Sequence, residues 1–174
     1  YEYLFPPIQG VLQVQYQNLG SVKTNGIEFE SKTVFNDNFS ASFGVSLNEG
    51  REDDGYLDSL SPDHAKISLS WISDSGRLRW NTISTLMESS RSTLSPVCGR
   101  SGVCSPAQET AGRVTLDTYL NFDLTEKVNI KFGVRNLTDK KYWDYPTIAG
   151  QAAGTADEYL MPGRNMSFSI RYSL

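Results

Sequence analysis

Along most of this chain apolar and polar side chains alternate one by one. The last fourteen residues, MPGRNMSFSIRYSL, set Met166, Phe168, Ile170, Tyr172 and Leu174 on one side of an extended strand. Asn165, Ser167, Ser169, Arg171 and Ser173 fall on the other side, because successive side chains of a strand point to opposite faces. FSASFGVSLN repeats the pattern with Phe39, Ala41, Phe43, Val45 and Leu47 against Ser40, Ser42, Gly44, Ser46 and Asn48. HAKISLSW sets Ala65, Ile67, Leu69 and Trp71 against Lys66, Ser68 and Ser70. LDTYLNFDL opposes Leu116, Leu120, Phe122 and Leu124 to Asp117, Asn121 and Asp123, and VNIKFGVRN opposes Val128, Ile130, Phe132 and Val134 to Asn129, Lys131, Gly133 and Arg135. In RLRWNTISTLMESS the rhythm starts with Leu78 and Trp80 and is lost near Ile83. The opening run from about Gly10 to Phe35 alternates well in GIEFESK but changes phase between Gly20 and Gly26, as a bulge or two separate strands would require. The pattern predicts seven strands, and helical periodicity is absent.

The connections fall into two classes. Asn36-Asp37-Asn38, the Ser-Asp-Ser-Gly-Arg run at 73–77 and Thr125-Glu126-Lys127 read as tight hairpin turns. The alternate connections, Glu49 to Asp63, Arg91 to Gly112 and Thr138 to Pro162, are far longer than the usual loop of a compact domain. Short turns at one end and long loops at the other suit an antiparallel membrane barrel better than a β-sandwich, which scatters its loop lengths. The polar face, rich in Ser, Asn and Gly with isolated charges, suits a filled barrel interior. Trp71, Trp80, Trp143, Tyr119, Tyr142 and Tyr172 stand near the presumed strand ends, where interfacial aromatic girdles belong and where core aromatics would read the same.

At 174 residues the chain fits one domain, and its net charge of -4 with scattered Lys and Arg argues against a nucleic-acid partner. No run of about eighteen apolar residues encodes a membrane-spanning helix. A spanning β-strand needs only about ten residues with every second one apolar, so a membrane is not excluded. The chain opens YEYLFPPIQG, without Met or a secretion signal, and the expectation is a piece lacking its N-terminal part.

Cys98 and Cys104, in LSPVCGRSGVCSP, enclose a short hydrophilic loop that suits a disulfide and an oxidising compartment; the alternative is two exposed reduced thiols. No metal site is expected, since the single histidine, His64, is remote in sequence from both cysteines. No catalytic residue is expected either, because nothing around His64 in SPDHAK supplies a nucleophile and an orienting acid. No cofactor is implied. The Asn-x-Ser/Thr matches at Asn38, Asn136 and Asn165 read as chance.

Three signatures occur in order: YQNLGSVKTNGIEFES at 16–31, GVRNLTDKKYWD at 133–144, and the terminal PGRNMSFSIRYSL. Together, over nearly the whole chain, they resemble the C-terminal part of TonB-dependent outer-membrane receptors. The resemblance implies an all-β fold, the last seven strands of a plugged antiparallel transmembrane barrel of about 22 strands. Residues 1–174 would then form the C-terminal segment of that barrel, with the N-terminal plug and earlier strands absent. It further implies uptake of a scarce ligand across a Gram-negative outer membrane, the long loops facing outward. The partners implied are TonB, through the absent plug region, outer-membrane lipid, and a small molecule that by default is a ferric siderophore and alternatively haem, cobalamin or a saccharide. The last strand would close the barrel against the first, and Leu174 stands where the family usually ends on an aromatic residue. A passive porin-like barrel and a soluble all-β binding module are the competing readings.

Within that reading Asn136 and Asp139 shape the turn leaving the membrane, Gly163 and Arg164 set the start of the last strand, and Glu28 and Glu30 face the lumen. Candidate ligand contacts are Trp143, Tyr145 and Tyr159, read as exposed aromatics beside Asp144, Asp157 and Glu158. Packing of the same aromatics against neighbouring loop residues is the plain alternative.

Overall fold

The computed structural model describes residues 21–52, 55–56, 60–90, 97–98, 104–105, 109–148 and 156–174. Seven long strands form one antiparallel sheet: β1 (Val22–Val34), β2 (Phe39–Glu52), β4 (His64–Ile72), β5 (Leu78–Met87), β8 (Arg113–Asp123), β9 (Val128–Arg135) and β10 (Asn165–Tyr172), in the order β1-β2-β4-β5-β8-β9-β10. Every long strand pairs with the next long strand in sequence, an up-and-down wall with no crossover. Three two-residue strands lie in the long connections. β3 (Gly55–Tyr56) pairs back on the end of β2, and β6 (Val97–Cys98) pairs with β7 (Cys104–Ser105) in a separate ladder.

The register carries the alternation from strand to strand. Thr33, Ala41, Leu69, Thr82, Thr118, Val134 and Met166 face one another in a row across all seven strands. The row beside it, Val34, Ser40, Ser70, Asn81, Tyr119, Gly133 and Ser167, belongs to the other face. A slip of one residue at any pairing would put one strand's apolar side among its neighbour's polar side chains. On the apolar face Phe39, Trp71, Trp80, Leu120, Phe132 and Phe168 form an aromatic-rich row next to the short-turn end.

Among the described residues no second sheet covers either face. Among the described residues the buried apolar side chains are Val134, Tyr145 and Ile148, while Ile27, Phe29, Phe43, Ile67, Phe168 and Ile170 remain exposed. The accessible surface is 12725 Å², against the ~8,500 Å² of a compact monomer of this length. The soluble sandwich needs an inner core that this wall lacks.

The short turns are tied by their own side chains. The Asn36 carboxamide oxygen accepts the Asn38 and Phe39 N–H groups, and Thr125 Oγ1 accepts those of Lys127 and Val128. Gly76 takes φ 70°, a left-handed conformation that a β-carbon disfavours. Adjacent turns are joined sideways: Asn38 donates to Ile72 O and Asp74 Oδ1, and Arg77 donates to the carbonyls of Asp123 and Leu124.

Four details differ from the pattern read in the sequence. Within its described part the opening run is one continuous strand, Val22 to Val34; residues 10–20 lie outside the described residues. Glu49–Glu52 continue β2 rather than opening a loop, because Val22 to Asn25 pair with them. β5 runs through Ile83, whose side chain falls on the polar face opposite Ser68 and Asp117. Tyr119 also belongs to the polar face, not to the apolar girdle. A β-carbon on Gly133 would lie 3.0 Å from its ring, so glycine there makes room for the aromatic across the strand pair.

Candidate functional site

The three long connections leave the same end of the wall, and hydrogen bonds gather their bases. Asp63 Oδ1 accepts the Asn48 N–H at 2.7 Å and Asp63 O accepts that of Glu88 at 2.9 Å, so one residue links β2, β4 and β5 at the rim. Ser90 and Thr110, both buried, close the next connection by Ser90 N–H to Thr110 O and Thr110 N–H to Ser90 Oγ.

After β9 the segment NLTD makes a tight corner. Asn136 (φ 49°) and Asp139 (φ 53°) adopt left-handed backbone, which Asn and Asp tolerate better than most residues. The Asn136 carboxamide is used at both ends, Nδ2 donating to Lys140 O and Oδ1 accepting the Lys140 N–H, each at 2.8 Å. Its backbone N–H goes to Asp117 Oδ1, and the Leu137 N–H to Leu116 O. Asp139 Oδ1 accepts the Arg164 N–H at 2.7 Å. Asn136 and Asp139 thus shape the corner, and Gly163 and Arg164 meet it at the start of β10.

The chain then turns back over the rim. Trp143 bridges Leu160, the Met161 N–H reaches Tyr142 O, and a single helical turn, α1 (Tyr145–Ile148), follows Asp144, whose carbonyl accepts the Thr147 N–H. Tyr145 and Ile148 are 2% and 0% exposed. Tyr145 shares a small cleft with Asn48, Pro62, Asp63, Glu88 and Ser90, at the bases of the two preceding connections. The β9–β10 connection therefore reaches back past β8 and β5 along the rim. The expected exposure of Tyr145 is corrected: its side chain is packed in that cleft.

The group that holds this segment was not singled out in the sequence. Arg113, the first residue of β8, donates to Trp143 O at 3.1 Å and to Asp144 Oδ1 at 2.7 Å, with its guanidinium 4.4 Å from the centre of the Tyr142 ring. Its side chain is 7% exposed and that of Asp144 39%, so the ion pair shields the cation and leaves the carboxylate reachable. An isolated Arg at a strand start carries no sequence signal; only the fold brings it within reach of residues some thirty positions on.

Trp143 is half-buried, and so is Tyr159, at the end of a 3-10 turn (Ala156–Tyr159) whose Asp157 and Glu158 are exposed. The bridge from Trp143 to Leu160 places these two stretches side by side. Cys98 and Cys104 face one another in the β6–β7 ladder.

On the polar face Glu28, Ser46, His64, Met87 and Arg113 stand in one row. Ser46 Oγ reaches Glu28 at 3.5 Å and accepts from Asn48, while His64 Nδ1 lies 3.3 Å from Pro62 O. These contacts satisfy rim groups and do not converge on one point. Among the described residues no three His, Cys, Asp or Glu side chains cluster as metal ligands would.

The family described as "TonB dependent receptor-like, beta-barrel" matches residues 3–137. No curated protein matches the sequence. Among solved structures the fold is similar to the copper transporter OprC, at TM-score 0.73 and 19% identity over 89% of this chain and 24% of that one. It is similar to the pyoverdine outer membrane receptor FpvA of Pseudomonas aeruginosa PAO1, at TM-score 0.72 and 18% identity over 97% and 24%. The ferric yersiniabactin uptake receptor FyuA of Yersinia pestis follows at 0.64 and 20%, over 89% and 24%. The chain spans about a quarter of the length of these structures.

Proposed function

The chain belongs to the TonB-dependent receptor family through its β-barrel domain, and from that premise we propose that it is the C-terminal segment of an outer-membrane receptor for active uptake of a scarce ligand, by default a ferric siderophore. The observation that carries this reading is the two-faced wall. Seven strands in register present one apolar face, with no core behind it, as a wall between lipid and a polar lumen must. On this reading the short turns are periplasmic and the stapled connections extracellular.

Transport by this segment involves no covalent chemistry. Ligand is captured at the rim by Trp143 and Tyr159, with Asp144 beside them, and energy arrives from TonB through a plug that contacts the polar face. Tyr145 supports the site from its cleft. Cys98 and Cys104 form a disulfide that ties the outward loop; their facing positions in the ladder support it. That the similar structures are named a copper transporter, a pyoverdine receptor and a ferric yersiniabactin uptake receptor supports a metal or metal-chelate cargo.

The test is uptake of radioactive iron, supplied as a panel of ferric siderophores, by iron-starved cells with the gene intact, deleted, or intact in a strain lacking TonB. Uptake of one siderophore lost in both mutant strains is the expected result. Uptake that needs the gene but not TonB would instead establish a passive barrel, and no dependence on the gene for any siderophore would exclude iron chelates as cargo.

A further inference from the structure

Beyond the corner built by NLTD, the β9–β10 connection is fastened at a second place. One buried cation on the wall grips three consecutive residues of the loop, Tyr142 by its ring, Trp143 by its carbonyl and Asp144 by its carboxylate. A guanidinium can do this because its donors lie in one plane and in different directions, while its face stacks on an aromatic ring. An ammonium at the same position would hold the carboxylate but could not keep all three contacts. What lies beyond this grip is α1, which inserts Tyr145 and Ile148 at the rim, and the Trp143–Leu160 bridge that aligns the Tyr159 stretch.

We propose that Arg113 is the positioning residue of the ligand-capture loop: it fixes Trp143 and Asp144 on the inner side of the rim, so that the capture surface is formed before ligand arrives. The assignment rests on the reading of this loop as the capture loop, and the position it describes can be measured without any ligand. Preformation lowers the cost of binding, because the ordering of the loop no longer opposes association.

The test uses the complete receptor in detergent micelles with fluorinated tryptophan. This segment contributes three fluorine resonances, from Trp71, Trp80 and Trp143; Trp143→Phe identifies the third. In Arg113→Gln the Trp143 resonance is expected to move toward that of solvent-exposed tryptophan while Trp71 and Trp80 stay in place. Cleavage by added protease within 138–148 is expected to rise by about tenfold or more, the effect of losing a hydrogen-bonded charge. Arg113→Lys should fall between wild type and Arg113→Gln. Should Arg113→Gln disturb all three resonances, Asp144→Asn removes the same ion pair from the loop side and should move Trp143 alone. An unchanged Trp143 resonance and unchanged cleavage in Asp144→Asn, or in a folded Arg113→Gln, would overturn the proposal. A shifted Trp143 resonance with iron-chelate uptake at wild-type level would keep Arg113 as the anchor and refute the loop as the capture element.

Discussion

Asp139 Oδ1 accepts the backbone N–H of Arg164 at 2.7 Å, and a β-carbon on Gly163 would stand 2.6 Å from that same oxygen. Two motifs 25 residues apart, NLTD and PGR, are thus one device: an Asp that reaches across the rim, and a glycine that lets it. The bond orients the first residue of β10 against the last of β9, where Asn165 faces Arg135. Gly163→Ala cannot keep both the carboxylate and the bond in place. It should destabilise the folded barrel by about 1–2 kcal/mol, the range for a lost charge-assisted bond and local strain. Asp139→Ala should cost a similar amount, and the double variant no more than either alone, since both remove one interaction. Urea unfolding of the complete receptor in micelles measures this; additive losses would show the two residues to be independent.

Asn136 separates backbone from side-chain effects at the same corner. Its φ of 49° disfavours a β-carbon, and its carboxamide makes two bonds to Lys140 while only 4% of the residue is exposed. Asn136→Gly relieves the first problem and loses both bonds; Asn136→Ala suffers both. Ala is expected to be less stable than Gly by about 1 kcal/mol, and both less stable than wild type. The reverse order of Gly and Ala in the same unfolding measurement would mean that the left-handed backbone carries no cost here.

The alternation was legible because the two faces of the wall each demand one kind of side chain, and the seven long strands follow it over most of their length. It weakened at Ile83 and Tyr119, which lie on the polar face, where fit to neighbours such as Gly133 matters more than polarity. The ladders β3 and β6–β7 have two residues per strand, too few to show any period. The turn roles of Asn136 and Asp139 could be read because those side chains bond locally. The burial of Tyr145 could not, since it depends on rim residues from Asn48 to Ser90 that only the folded wall brings together.

The β6–β7 ladder sets a prediction for the cysteines. With Cys98 and Cys104 facing across it, the receptor as extracted from cells should resist alkylation at both positions and react at both after reduction, as peptide mass mapping would show. Alkylation before reduction would establish free thiols and remove the disulfide from the proposed site. Cys98→Ser with Cys104→Ser should leave unfolding of the barrel wall nearly unchanged, because the closed loop is short and stands outside the main sheet.

The apolar face supplies the sharpest test of what surrounds it. Trp80 Nε1 donates to Thr118 Oγ1 at 2.8 Å, and Thr82 Oγ1 lies 2.9 Å from the same oxygen, so polar groups on that face satisfy one another across β5 and β8. In water a freed indole N–H would find a solvent partner; in hydrocarbon it has none, which raises the cost of leaving it unpaired. Thr118→Val should therefore destabilise the receptor in lipid vesicles by about 1–2 kcal/mol, the cost of leaving a buried donor unpaired. Adding Trp80→Phe should recover part of that loss, the pairwise share being about 0.6 kcal/mol on average for membrane proteins. Urea unfolding of the two single variants and the double variant in vesicles measures that coupling. A coupling of zero in vesicles would place this face away from hydrocarbon and count against the membrane-spanning wall.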